Sequence, residues 1–359
     1  MHTVLCERLG VEVAVIQAPM AGGWTTPALA ASVSEAGGLG MLAGARLTAD
    51  QLRAQIEETQ HRTRRPFGVN FLLAPPAPPE DDGPSARDTL DDIRRRLDLP
   101  SPAPGGGTTP APVADGLEVA LEARVPVLSF AMGSPAPWVE RVHAAGAVVM
   151  ASVTTVAEAE GAAAAGTDVL VAQGAEAGGH RSTFSVEGVD PLPLVGSMAL
   201  VPAIVDAVGV PVVAAGGIMD GRGIVAALAL GAEGVQLGTR FLLATESGAS
   251  PGYRRRLLQA VETDAVVTDV LSGRPARALR NAIVRTFEER GTRPLGWPRQ
   301  AAAALDIYRA SLEHDGDWAP LFAGQGLRLA RREQPAGEIV RELVAEVRRV
   351  RERLCAVTP

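Results

Sequence analysis

Lysine is absent from this 359-residue chain, so all 34 of its permanently cationic side chains are arginines. That excludes a lysine Schiff base and a lysine phosphate ligand. There are two cysteines, Cys6 and Cys355, one near each end. They form neither a disulfide framework nor a metal-binding spacing, and they suit a reduced compartment. No apolar run reaches the roughly 18 residues that a membrane span needs. The start, "MHTVLCERLG", lacks the basic region and apolar core of a secretory leader. The expected location is the cytoplasm. A net charge of -7 leaves no basic footprint for nucleic acid.

What is abundant is small and apolar. The chain is 47% hydrophobic but only 4% aromatic, with 39 glycines. Such a composition favours close helix-on-strand packing and many tight turns. Short apolar runs alternate with helical patterns up to about residue 240. The predicted strands are 13–17, 38–43, 67–72, 125–130, 147–152, 168–173, 211–216 and 234–239. Continuous apolar runs indicate strands covered on both faces, as in parallel sheets. "TPALAASVSEAGG" carries Thr-Pro at its start and glycines at its end, the punctuation of a helix. Eight strand–helix units predict a (β/α)8 TIM barrel. The competing fold, a doubly wound sheet, needs a G-x-G-x-x-G turn after the first strand, and "APMAGGWT" lacks it.

The eighth helix is expected at 336–354, with Ile339, Val340, Leu343, Val344, Val347 and Val350 on its apolar face. This divides the chain into a barrel (1–245), a mostly helical cap inserted between the eighth strand and the last helix (246–330), and the final barrel helix (331–359). A second insertion, 74–112, has Pro- and Gly-rich ends around a charged helical middle. It reads as a loop over the site or as a solvated linker.

In a barrel of this kind the chemistry lies at the C-terminal ends of the strands. The residues there are Pro19, Met20, Ala21 and Gly22 after the first strand and Asn70 on the third. Ser129 and Phe130 on the fourth are the candidate substrate contacts. Gln173, Gly178, Gly179 and His180 follow the sixth strand; Ala215, Gly216 and Gly217 end the seventh. Gln236, Leu237, Gly238 and Thr239 belong to the eighth. Paired glycines on the last two strands suit a phosphate group, with a helix N-terminus adding positive potential. Asn70, Gln173 and Gln236 interrupt apolar strands, and their amides need partners; a flavin edge or the barrel backbone would satisfy them. His180, behind two glycines, is the expected proton-handling group. "EHDGDW" (313–318) lacks metal-ligand spacing, and no metal site is expected.

"QAPMAGG", "FGVNFLL", "VLVAQGAEAGGH", "PVVAAGGI" and "GVQLGTRFL", in this order, resemble the nitronate monooxygenase family, as do "SGRPARALRN" and "FAGQGLRLAR" downstream. The resemblance covers most of the chain. It implies FMN, held at Met20, Asn70, Gln173, Gly178, Gly217 and Gln236 to Thr239, with His180 near its reactive face. It implies a small-molecule nitronate and O2 as reactants, giving a carbonyl compound and nitrite. Family members that take a carboxylated nitronate carry tyrosines and a lysine in the cap. Here the cap has Tyr253 and Tyr308, and Arg299 or Arg309 would be the available carboxylate partner. The scaffold also resembles the FMN-type enoyl-ACP reductases, which use NAD(P)H. A third reading is a non-catalytic FMN- or phosphate-binding protein.

Overall fold

The structure, a computed structural model, describes residues 1–75, 84–100, 112–186, 192–329 and 332–356. In chain order its strands are β1 (Val15–Gln17), β2 (Gly40–Ala43), β3 (Phe67–Leu72), β4 (Val127–Ala131), β5 (Val148–Val153) and β6 (Val169–Gln173). There follow β7 (Gly179–His180), β8 (Val212–Ala215), β9 (Gly234–Leu237), β10 (Ala265–Thr268) and β11 (Ala276–Leu279). Eight of them form one parallel sheet in the order β1-β9-β8-β6-β5-β4-β3-β2. The sheet closes where the Gln17 amide donates to the Leu39 carbonyl at 2.9 Å and Ile16 bridges Leu39. This is the (β/α)8 barrel, and each of the eight apolar runs supplies one of its strands.

The outward faces of the strands pack on the surrounding helices. Helix Pro27–Glu35 starts at Thr26, whose hydroxyl accepts from the Leu29 amide, with Pro27 in the first turn. The final helix runs Ala336–Cys355 and buries Ile339, Val340, Leu343 and Val347. Helix Val4–Leu9 contributes Leu5, Cys6 and Leu9 to the core that holds Ile16, Met41, Val171 and Val213. Each such side chain removed from water contributes about 1.5–3 kcal/mol.

Between β9 and the final helix lie helices Pro251–Gln259, Ala282–Arg290, Arg299–Ala303 and Leu305–Leu312. This segment also holds an antiparallel hairpin, β10–β11, which the helical reading did not separate. β11 pairs in turn with β7, placing Ala276 opposite His180. The free side of β11 is shared between this barrel loop and the cap's own 321–323 stretch, where Ala278 bridges Phe322.

The ends of the 74–112 insertion, residues 76–83 and 101–111, lie outside the described residues. Its middle is helix Pro84–Arg96. Ala86, Leu90 and Ile93 share a core with Leu271, Ile283, Phe287 and Tyr308. Arg94 is buried and grips Asp306 through Nε at 2.7 Å and Nη2 at 3.0 Å. Among the described residues, no helix is long and apolar enough to cross a membrane.

Candidate active site at the barrel mouth

The loop after β6 leaves the barrel and returns as β7, which carries His180. Two contacts place the imidazole. The Gln173 side-chain amide donates to the His180 carbonyl at 3.0 Å and accepts from the Ser182 amide at 2.8 Å. The ring Nε2 lies 2.8 Å from the Ser272 hydroxyl. Trp297 meets the ring edge-to-face at a centroid distance of 5.2 Å, and Phe322 lies tilted at 5.3 Å.

The Ser272 hydroxyl has one proton to give. It lies 3.1 Å from the Arg274 carbonyl and 3.3 Å from the Arg274 amide. The arrangement that satisfies all three partners sends the serine proton to the carbonyl. His180 then donates from Nε2, and Nδ1 keeps its lone pair. Burial pushes the His180 pKa down to about 3, and the positive charges of Arg274 and Arg46 push it the same way. His180 is thus a neutral imidazole near pH 7 with a fixed tautomer.

The glycine turns sit where the strand pattern put them. Gly216 and Gly217 have φ of 115° and 71°, which side-chain-bearing residues rarely adopt. Their turn directs main chain, not side chains, at the end of β8. Gly178 serves a close approach: a Cβ there would stand 2.6 Å from the Ala323 carbonyl carbon and the Gly324 nitrogen. The cap stretch 323–326 is thereby pressed onto the turns. The Gly324 amide donates to the Thr239 hydroxyl at 2.9 Å, and the Gln325 amide to the Glu176 carbonyl at 2.9 Å.

The other expected residues divide by orientation. Pro19, Met20, Ala21 and Gly22 form the turn after β1, tied down by the Met20 amide donating to Thr25 Oγ1 at 2.9 Å. Asn70 and Ser129 are buried partners from adjacent strands, Nδ2 to Oγ at 3.1 Å. The Gln236 side chain is half-buried and has no hydrogen-bond partner among the described residues, so it offers a free amide at the end of β9. Ala215 and Leu237 are buried; Leu237 packs among the barrel-covering helices, which leaves only its main chain for a ligand. Gly179 shares β7 with His180, and Gly238 precedes Thr239 in the turn after β9.

Three expectations need correction. Phe130 is fully buried and packs beside Phe71, Leu128 and Val142, away from the mouth. Neighbouring strand residues face opposite ways, so Ser129 facing Asn70 sends Phe130 outward. Gln173 spends its amide on the loop that carries His180, and so positions the histidine. The helix after β8, Gly221–Ala229, does not offer a bare N-terminus. Asp220 accepts from its Arg222 and Gly223 amides, and Glu346 accepts from its Gly221 amide. An anion at β8 would therefore rely on the glycine turn itself.

Ser272, Trp297, Phe322 and Arg274 also belong to the site, although sequence reasoning assigned them no role. Only the small-residue turn "LSGRP" hinted at Ser272. The donor set fits a phosphate-bearing flavin: the Gly216–Gly217 turn after β8, the Gly238–Thr239 turn after β9, a free Gln236 amide, the Asn70–Ser129 pair and a neutral histidine.

A family model described as nitronate monooxygenase matches residues 3–346. A probable nitronate monooxygenase of Staphylococcus saprophyticus is 38% identical over 334 residues, 92% of this chain and 93% of that protein. The structure of a nitroalkane oxidase from Streptomyces ansochromogenes superimposes with a TM-score of 0.90 at 37% identity, covering 98% of this chain and 99% of that one. FabK from Thermotoga maritima gives 0.78 at 31% identity, covering 99% and 98%. The chain belongs to the nitronate monooxygenase family.

Proposed function

We propose that the chain is an FMN-dependent nitronate monooxygenase that converts alkyl nitronates and O2 to a carbonyl compound and nitrite. The observation that carries this reading is His180, neutral and fixed through Ser272, at a mouth whose two glycine turns suit a phosphate. Bound FMN would supply the electron transfer between nitronate and O2.

The chain's own share is binding and orientation. Gly216, Gly217, Gly238 and Thr239 would hold the phosphate, and Asn70, Ser129 and Gln236 would meet the polar edge of the ring. Met20 and the loop at Gly178 would line its faces. The positive charges of Arg46 and Arg274 favour an anionic substrate beside His180. They also disfavour a proton on the imidazole, so removing a proton from a neutral nitroalkane is harder here than holding a nitronate already ionised. Trp297 and Phe322 confine the reacting carbon next to the ring.

The test is an absorbance spectrum of the purified protein, followed by ethyl nitronate in air with a nitrite assay. Flavin bands and nitrite release are expected. Flavin without nitrite, together with rapid bleaching by NADH under anaerobic conditions, would favour the second reading, an enoyl-ACP reductase-like enzyme, which the likeness to FabK keeps open. Protein that takes up no flavin would sink both.

A further inference from the structure

Ser272 and Trp297, two of the cap residues that frame His180, hang from one pair of helices. Helix Arg299–Ala303 begins just after Trp297 and Pro298, and it meets helix Leu305–Leu312 at the buried Ala304. Each helix sends one buried side chain to the turn that carries Ser272. Gln300 Nε2 donates to the Val270 carbonyl at 2.9 Å, and the Tyr308 hydroxyl donates to the Leu271 carbonyl at 2.9 Å. Gln300 Oε1 accepts from the Leu295 amide at 3.0 Å, at the foot of the stretch that leads to Trp297. The two carbonyls immediately before Ser272 are thus held from two different helices. A change in the angle between those helices would move the serine.

That angle is pinned from outside the cap. Arg94, on helix Pro84–Arg96 of the insertion after β3, reaches both helices across their junction. Its Nη2 donates to the Ala303 carbonyl on one. Its Nε and Nη2 hold the Asp306 carboxylate on the other at 2.7 and 3.0 Å. Asp91, from its own helix, takes Nη1 at 2.7 Å, so all three guanidinium nitrogens are engaged. Arg94 is buried, and its neighbours Leu90 and Ile93 share a core with Leu271, Ala304, Ile307 and Tyr308. A buried ion pair adds little net stability over apolar residues of the same volume. A planar guanidinium with its acceptors in place does fix direction.

We propose that Arg94 is a positioning residue for the reaction at the barrel mouth. It sets the angle of the two cap helices, through Gln300 and Tyr308 the place of Ser272, and through Ser272 the tautomer of His180. Unseating the insertion helix would release the imidazole while leaving the glycine turns of β8 and β9 as they are. The kinetic arm of the test rests on the proposed reaction; the spectroscopic arm does not.

Three variants of the flavin-loaded full chain are compared with wild type and with Ser272→Ala. Arg94→Met keeps the stem and removes the fork. Asp306→Asn weakens the grip at a partly exposed position, and Tyr308→Phe deletes only the hydroxyl on Leu271. Nitrogen NMR of the imidazole is expected to show one tautomer in wild type and mixed tautomers in the variants. With ethyl nitronate, kcat of Arg94→Met is expected to fall about 3–30-fold with KM within about twofold, since no group that binds the ground state is removed. Arg94→Lys, a point charge without the fork, should recover only part of that loss. FMN retention after dialysis is expected to match wild type. Adding Arg94→Met to Ser272→Ala should cost no further kcat, because both act on one contact. A single tautomer in the variants, or losses that add to that of Ser272→Ala, would overturn the proposal. Mixed tautomers in the variants, with no turnover of nitronate by wild type, would keep the role of Arg94 and refute the proposed function. Should Arg94→Met not fold, Asp306→Asn and Tyr308→Phe decide on the same readouts.

Discussion

The Ser272 hydroxyl holds His180 Nε2 at 2.8 Å across a separation of 92 residues, joining a turn of the cap to a strand at the barrel mouth. The histidine therefore takes its position from the barrel and its tautomer from the cap. Ser272→Ala removes the tautomer constraint while leaving the Gln173 contact to the His180 backbone. Turnover of ethyl nitronate is expected to fall about 10–100-fold at saturating substrate, less than the roughly 100–10,000-fold a positioned acid–base group contributes, because the imidazole itself remains. Proton NMR of the imidazole should show mixed tautomers in the variant and one in the wild type. A single tautomer in both would remove Ser272 from this role.

The depressed pKa of His180 has a consequence for stability. The unfolded chain binds a proton on this histidine below about pH 6.5, and the folded chain does so only near 3. Between those values the unfolded state holds more protons, so stability is full above pH 6.5 and is lost as pH falls. Urea melts of the wild type and His180→Asn at pH 7 and pH 5 read this directly. The variant should lose less stability than the wild type on acidification. An equal loss would mean that the imidazole titrates normally.

At Gly216 the backbone has a φ of 115°, and an added Cβ would stand 3.0 Å from the Ala177 nitrogen. Gly216→Ala therefore costs about 1–2 kcal/mol of local strain. The strain falls on the turn expected to face the phosphate. Retention of FMN after dialysis should drop about tenfold in affinity, with far-UV dichroism unchanged. Full retention would place the phosphate elsewhere.

The barrel was legible because its strands are covered on both faces and read as apolar runs. The same continuity hid which way single residues point. Ser129 and Phe130 look alike as strand-end candidates, and only the Asn70 contact shows that one faces in and the other out. β7 is two residues long and owes its existence to β11, so no local pattern could announce it. The glycine turns were legible as turns. That Asp220 and Glu346 occupy the neighbouring helix start depends on side-chain reach, which spacing does not encode. His180 stood out through its glycines, whereas Ser272 and Arg94 became visible only once distant segments were brought together.

Arg181, Arg274 and Arg277 are buried around the loop that carries His180, and their hydrogen bonds run to oxygens of uncharged groups. Arg181 reaches the carbonyls of Gln173 and Pro193, Arg274 that of Thr183, and Arg277 those of Ala175 and Ala265. A carbonyl oxygen does not titrate. Between pH 5 and 8 no partner in those bonds can gain or lose a proton, so the cationic character of the mouth is written into the course of the chain. A mouth wired this way presents the same positive pull at pH 5 as at pH 8, without any titrating carboxylate to switch it.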